Sequence, residues 1–213
     1  MVAAIVLAAG MSTRMGGDVP KQLLPWGRHT VVQEVLDTLV RAGIPASTIW
    51  VVVGHARLAV EGAVAGYGVQ TVFSPDYVTG EMLASLQAGL QALPPACAGA
   101  LIALADQPQM QVAVVVEVLK AFAAGGRRQI VIPSYAMRRG HPVILPRWLW
   151  PEILTLAAGD TLRTVLDRHA DANQYVLVDT PTILADVDTP AQYAAEMGQL
   201  PSHPGQGAEP AQE

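Results

Sequence analysis

The sequence predicts an α/β fold, a Rossmann-like and mostly parallel sheet with helices on both faces, and three observations carry that expectation. Short runs that are apolar on both faces recur along the chain, as strands covered on two sides require. Helical stretches separate them, the alternation that crossover-linked parallel strands impose. The first apolar run passes directly into a polar, glycine-rich loop, LAAGMSTRMGGDVPKQLL from Leu7 to Leu24, at the strand end where an open sheet presents its crevice.

The opening segment MVAAIVLAAG supplies the first strand, Ala3 to Leu7; it is too short to span a bilayer and lacks the positive flank of a secretory leader. Thr30 and Gln33 then have capping-box spacing, and Val31, Val32, Val35, Leu36, Leu39 and Val40 form the apolar stripe of a helix that Gly43 and Pro45 end. Further strands are expected at Ile49 to Val53, Val69 to Phe73 and Ala100 to Leu104. Further helices are expected at Glu81 to Ala92, Gln111 to Ala124 and Thr161 to His169, with Asp160 placed to cap the last.

Between Ser134 and Pro146 an Arg-Arg-Gly-His-Pro turn suggests a pair of strands along one side of a cleft, and Trp148 and Trp150 beyond it read as packing residues. Leu184 to Val187 reads as a last short strand. Thr189, Pro190 and Gln192 then open a helix, which sets Asp188 at a strand-to-helix junction.

With 213 residues and 51% hydrophobic content the chain can bury one full core, so residues 1–200 are expected to form a single domain. Residues 201–213 hold no large apolar side chain and are expected to be a disordered tail. A net charge of -5 argues against a nucleic-acid surface, and no segment calls for a membrane. Cys97 is the only cysteine, which excludes an intrachain disulfide and a thiolate metal cluster and fits a cytoplasmic setting.

The glycine loop follows neither the P-loop nor the dinucleotide pattern in its spacing. It does place two cations, Arg14 and Lys21, where backbone N–H groups can approach a phosphate, and such charge-assisted donors suit a triphosphate. The strand from Ala100 leads into Asp106 at the same edge of the sheet. If Asp106 and Asp188 converge there, they offer the one or two carboxylates that Mg²⁺ takes alongside water and phosphate oxygens. Asp186, sharing a strand face with Asp188, is the second choice for that role. Two cations and two carboxylates suit nucleotidyl transfer better than phosphoryl or hydride transfer. A phosphate monoester acceptor is already anionic at neutral pH, so no general base is needed and the work is positional and electrostatic.

Six segments in this order resemble the molybdopterin-nucleotide group of nucleotidyltransferases, and most closely the molybdenum cofactor cytidylyltransferases. They are LAAGMSTRMGG with PKQLLP, SPDYVTGEMLASLQAGL from Ser74, ADQP around Asp106, RGHPVIL from Arg139, GDTLRTVL from Gly159 and DVDTPAQY from Asp186. The resemblance implies a sheet of the nucleotide-diphospho-sugar transferase type. It also implies transfer of CMP from CTP to the terminal phosphate of a molybdenum-bound pterin, with Mg²⁺ and release of pyrophosphate. By position, Ala8, Ala9 and Gly10 would contact base and ribose, together with Gly80 and Ser85. Arg14 and Lys21 would hold the triphosphate, Asp106 and Asp188 the metal, and Arg139 and His141 the acceptor. Related guanylyltransferases usually read Leu-Ala-Gly-Gly in the first loop, so Ala9 favours CTP. Between Gly16 and Lys21 the chain is slightly longer than the usual spacing, an extension that loop-closure entropy tolerates. The partners so implied are an NTP, a phosphorylated acceptor and a molybdoenzyme. Transfer to a sugar phosphate or polyol phosphate, on the same scaffold, and a non-catalytic carrier of the pterin cofactor are the alternatives.

Overall fold

Strand β1 (Val2–Ala8) lies inside the sheet, between β4 (Ile49–Val53) and β6 (Gly99–Leu104), and runs parallel to both. The chain is described by a computed structural model over residues 1–16, 19–79 and 82–198, so the expected tail at 201–213 lies outside the described residues. Among those residues the sheet has eight strands. On one side of β1 it continues through β4 to parallel β5 (Gln70–Phe73). On the other it passes from β6 through antiparallel β9 (Val143–Pro146) and β7 (Ile130–Tyr135) to β10 (Asn173–Leu177), which is parallel to β7. The short β8 (Arg138–Arg139) pairs with β7, and a separate two-stranded ribbon joins β2 (Pro25–Trp26) to β3 (His29–Thr30).

The mostly parallel sheet is covered on both faces because successive residues of its inner strands point to opposite sides. Ala4, Val6 and Ala8 of β1 join one core with helices α1 (Val31–Arg41), α2 (Arg57–Val64) and α4 (Val112–Ala124). Ala3 and Ile5 join the other with α3 (Met82–Ala92), α5 (Trp150–Leu154) and α6 (Leu162–Arg168). Trp150 is buried there, and its indole N–H donates to the Leu145 carbonyl at 3.1 Å. Each fully buried Leu, Ile or Val contributes about 1.5–3 kcal/mol relative to exposure, so these two layers supply the bulk of the stabilisation. No helix among the described residues is long and apolar enough to cross a membrane.

Two expectations are corrected. Leu184 to Val187 is not a strand: Pro181–Leu184 is a 3₁₀ turn, and Ile183 is buried against Gly140 instead of extending the sheet. The strand at the sheet's margin is β10, none of whose residues is fully buried. Asp160 does not cap α6; Thr161 does, its hydroxyl accepting from the Thr164 N–H, while Asp160 accepts from the Ala157 N–H at 3.0 Å. The expected start of α1 is present, with the Gln33 carboxamide accepting from the Thr30 N–H at 2.8 Å.

A third, small apolar cluster ties the last helix to the body. Trp26, Val31 and Val187 are buried together, with Tyr193 and Met197 of α7 (Pro190–Met197) packed on them. The Tyr193 hydroxyl donates to the Pro25 carbonyl at 2.6 Å. This cluster fixes the segment that carries Asp188. Trp26→Ala is therefore expected to lower unfolding free energy by about 3 kcal/mol, read from the denaturant midpoint. Hydrogen exchange should speed up in α7 before it does so in β1.

Candidate functional site

The loop after β1 is held by a buried glutamine. The Gln22 amide N–H groups donate to the carbonyls of Ala8 at 3.4 Å and Gly10 at 3.5 Å, and its oxygen accepts from the Ser12 hydroxyl at 3.2 Å. Ser12 in turn accepts from the Lys21 backbone N–H at 3.1 Å and sits at φ 55°, a left-handed conformation that non-glycine residues hold only where their surroundings fix it. Gln22 thus ties the loop's beginning to its end. Sequence reasoning passed over it, although a polar residue within a run ending in Leu23 and Leu24 needs buried partners and is a signal of such a tie.

Gly54, where β4 ends, lets the next wall approach. A Cβ there would lie 2.5 Å from the Ala9 carbonyl oxygen and 2.7 Å from Cβ of Tyr77, so only glycine allows these segments to close on each other. The result is a cavity of about 330 Å³. Ala9, Gly10, Arg14, Lys21, Ser85, Asp106 and Asp188 all line it, joined by Gln22, Tyr77 and Met82, which the sequence did not single out.

The charged groups meet at one point. The Lys21 ammonium donates to Oδ2 of Asp106 and, at 2.7 Å, to Oδ1 of Asp188. The other Asp188 oxygen takes Arg14 at 2.9 Å. Lys21 and both aspartates are largely buried, whereas the Arg14 side chain is 71% exposed and its pair contributes little to stability. Burial acts to lower the Lys21 pKa, but the charge of Asp106 and the hydrogen bonds from Asp106 and Asp188 outweigh it and raise the pKa above its ordinary value. A main-chain bond brings the two acids together, since the Val187 N–H donates to the Asp106 carbonyl at 2.9 Å.

Asp186 turns away from this point. Its carboxylate accepts from the Gln107 amide at 2.7 Å, and burial raises its pKa, opposed by that bond and reinforced by Asp106 and Asp188. With no strand over 184–187, its supposed shared face with Asp188 does not exist.

Among the described residues there is no group of three or more His, Cys, Asp or Glu side chains able to hold a metal ion. Two carboxylates converging on one cation do fit Mg²⁺, which takes few protein ligands and completes its shell with water and substrate phosphates. The Lys21 ammonium bridges the two carboxylates.

The remaining candidates are spread out. Ala8 packs its side chain into the core and faces Gln22 only through its carbonyl. Gly80 lies outside the described residues. Arg139 lines neither this cavity nor its neighbour; it pairs with Asp167 at 2.6 Å and lies over the Tyr175 ring. His141 lines an adjoining cavity of about 190 Å³ that shares Leu7 and Met82 with the first. Burial pushes its pKa down to about 4, against the pull of the Asp106 charge.

Residues 4–173 match the family described as MobA-like NTP transferase domain. A relative named Nicotine blue oxidoreductase, from Paenarthrobacter nicotinovorans, is 29% identical over 169 residues, which cover 75% of this chain and 78% of that protein. The crystal structure of Rv0371c from Mycobacterium tuberculosis H37Rv is similar with a TM-score of 0.81 at 30% identity, over 94% of this chain and 100% of that one. A structure of the same protein in complex with manganese gives a TM-score of 0.76 at 28% identity, over 93% and 99% of the two chains.

His141 leads to a pH prediction. Between pH 6.5 and about 4 the unfolded chain protonates this imidazole and the folded chain does not, so the unfolded state takes up more protons and stability falls as pH drops through that window. His141→Gln is expected to flatten the decline, read as the change in Tm across the window. A slope identical to that of the parent would contradict an imidazole that stays neutral in the fold through this window.

Proposed function

The chain belongs to the MobA-like NTP transferase domain family, and from that premise we propose that it joins CMP, taken from CTP, to the terminal phosphate of molybdenum-bound molybdopterin with release of pyrophosphate. Nucleotidyl transfer follows from the family; to it this reading adds a cytidine base and a molybdopterin acceptor. The observation that supports it best is the meeting of Lys21, Asp106, Asp188 and Arg14 at the edge of a cavity walled by the glycine loop.

In this reading an anionic oxygen of the acceptor phosphate attacks the α-phosphorus of the triphosphate. A new P–O bond forms, the bond to the β-phosphate bridging oxygen breaks, and pyrophosphate leaves with that electron pair. No proton has to be removed from the nucleophile, which agrees with the charge-paired character of the side chains at the point where the acids meet. Lys21 and Arg14 neutralise the phosphates. Gln22 and Ser12 hold the loop backbone in place for them, and Ser85 on α3 faces the nucleotide side of the cavity. Asp106 and Asp188 would hold Mg²⁺, the family's implied divalent ion, which when bound supplies charge neutralisation at the transferring phosphate. That a structure of Rv0371c is in complex with manganese supports use of a divalent cation.

One observation favours a competing reading. The relative named Nicotine blue oxidoreductase suggests redox chemistry on a heterocycle, whereas the two cations and two acids suit a metal-bound polyphosphate. Pyrophosphate release separates the two. The protein with Mg²⁺ and each of the four nucleoside triphosphates is expected to release pyrophosphate when offered the molybdenum-bound pterin acceptor, fastest with CTP. Release with a sugar phosphate or polyol phosphate instead would reassign the acceptor, and equal rates with all four triphosphates would overturn the base preference. Asp106→Asn is expected to lower kcat by about 10²–10³-fold while leaving the fold intact by circular dichroism. Undiminished turnover would remove Asp106 from the site.

A further inference from the structure

Resting on the reading of Asp106 and Asp188 as the acids that hold a divalent ion, the geometry points to Gln107 and Asp186 as positioning residues: the hydrogen bond between them sets the two acids at the separation and angle that the ion requires.

Neither residue lines the cavity of about 330 Å³ or the smaller one beside His141, so neither touches a substrate held there. Both stand beside the main-chain bond that joins the acid-bearing segments. Gln107 follows Asp106 directly, and Asp186 precedes Val187, whose N–H donates to the Asp106 carbonyl at 2.9 Å and which Asp188 follows. One hydrogen bond between two segments is a pivot. The Gln107 amide, donating to Oδ1 of Asp186 at 2.7 Å, adds a second bond one residue away on each segment and fixes the rotation about the first. Mg²⁺ demands near-ideal octahedral geometry, so a swing of either carboxylate costs affinity. Groups that orient metal ligands from behind are commonly worth about 10–100-fold in metal binding.

Both ends of this tether are themselves anchored. The Gln107 N–H donates to the Leu104 carbonyl at 3.3 Å and its carbonyl accepts from the Met110 N–H at 3.1 Å, which fixes its main chain beyond the end of β6. Val187 is fully buried in the Trp26 cluster. Gln107 is only 3% exposed, and its side-chain oxygen has no hydrogen-bond partner among the described residues. A buried acceptor left unpaired opposes folding, so stability alone gives an amide no advantage over a leucine of similar shape. What the amide supplies is the donor to Asp186.

Asp186 also carries a charge that interacts with those of Asp106, Asp188 and Lys21, so two variants are needed to separate bond from charge. Asp186→Asn removes the charge and keeps an oxygen for Gln107. Gln107→Leu combined with Asp186→Asn has the same charge and no bond. On the full chain with CTP, Mn²⁺ affinity followed by electron paramagnetic resonance is expected to stay within about threefold of the parent in Asp186→Asn and to fall by about tenfold or more in the double variant. Affinity for CTP in EDTA and the circular dichroism spectrum should be the same in both. Exchange of the Val187 amide, a readout that needs no metal, should be faster by about tenfold or more in the double variant than in Asp186→Asn. Should the double variant fail to fold, Gln107→Asn, whose amide is one methylene short of the contact, carries the same expectations against the parent. Equal Mn²⁺ affinity in the two variants, whether kept or lost, would overturn the inference. A parent that binds no Mn²⁺ in the presence of CTP would overturn the metal reading instead, and the Val187 exchange rates would then decide the tether alone.

Discussion

The site depends on one ammonium group held by two carboxylates. Asp106 and Asp188 carry like charges at a shared point, and Lys21 removes the repulsion that would otherwise drive them apart or protonate one of them. The three residues lie 85 and 167 positions apart in sequence, so the arrangement exists only once the sheet has formed. Strands β1 and β6, parallel neighbours, bring the glycine loop and Asp106 to the same edge, and the Val187-to-Asp106 main-chain bond adds the third segment. The Trp26 cluster then holds that segment from behind.

Lys21 satisfies both acids. In the proposed reaction a polyphosphate would give the ammonium a richer set of oxygens and a divalent ion would give the acids a stronger counter-charge, so metal and triphosphate are expected to favour each other's binding through Lys21.

The sequence made the inner strands and α1 legible because burial on both sides writes a continuous apolar run, and a core-facing helix writes a stripe. It failed where a residue's partner is distant. NQYVL of β10 offers only a short apolar run after two polar residues, none of it fully buried, yet it pairs in parallel with β7 at the margin of the sheet. Leu184 to Val187 reads as a strand, yet Ile183 is used to plug a gap that Gly140 leaves and Val187 to fill the small cluster. In the site, Lys21 and Asp106 could be picked out from charge in the segments that follow β1 and β6, and Asp188 from its place before the Thr189 cap of α7. Met82 could not, since its importance comes from which wall it meets. Arg139, one of two adjacent arginines on β8, is engaged by Asp167 and Tyr175.

The most direct measurement of the central claim is the affinity for Mn²⁺ alone, followed by electron paramagnetic resonance in the parent protein, in Lys21→Ala and in Lys21→Ala with Asp188→Asn. The account predicts weak binding by the parent, binding tighter by about tenfold or more once the ammonium is gone, and loss of that gain when one of the two acids is neutralised. Equal Mn²⁺ affinity in the parent and Lys21→Ala would contradict it, because Lys21 would then not be occupying the place where the acids hold a cation.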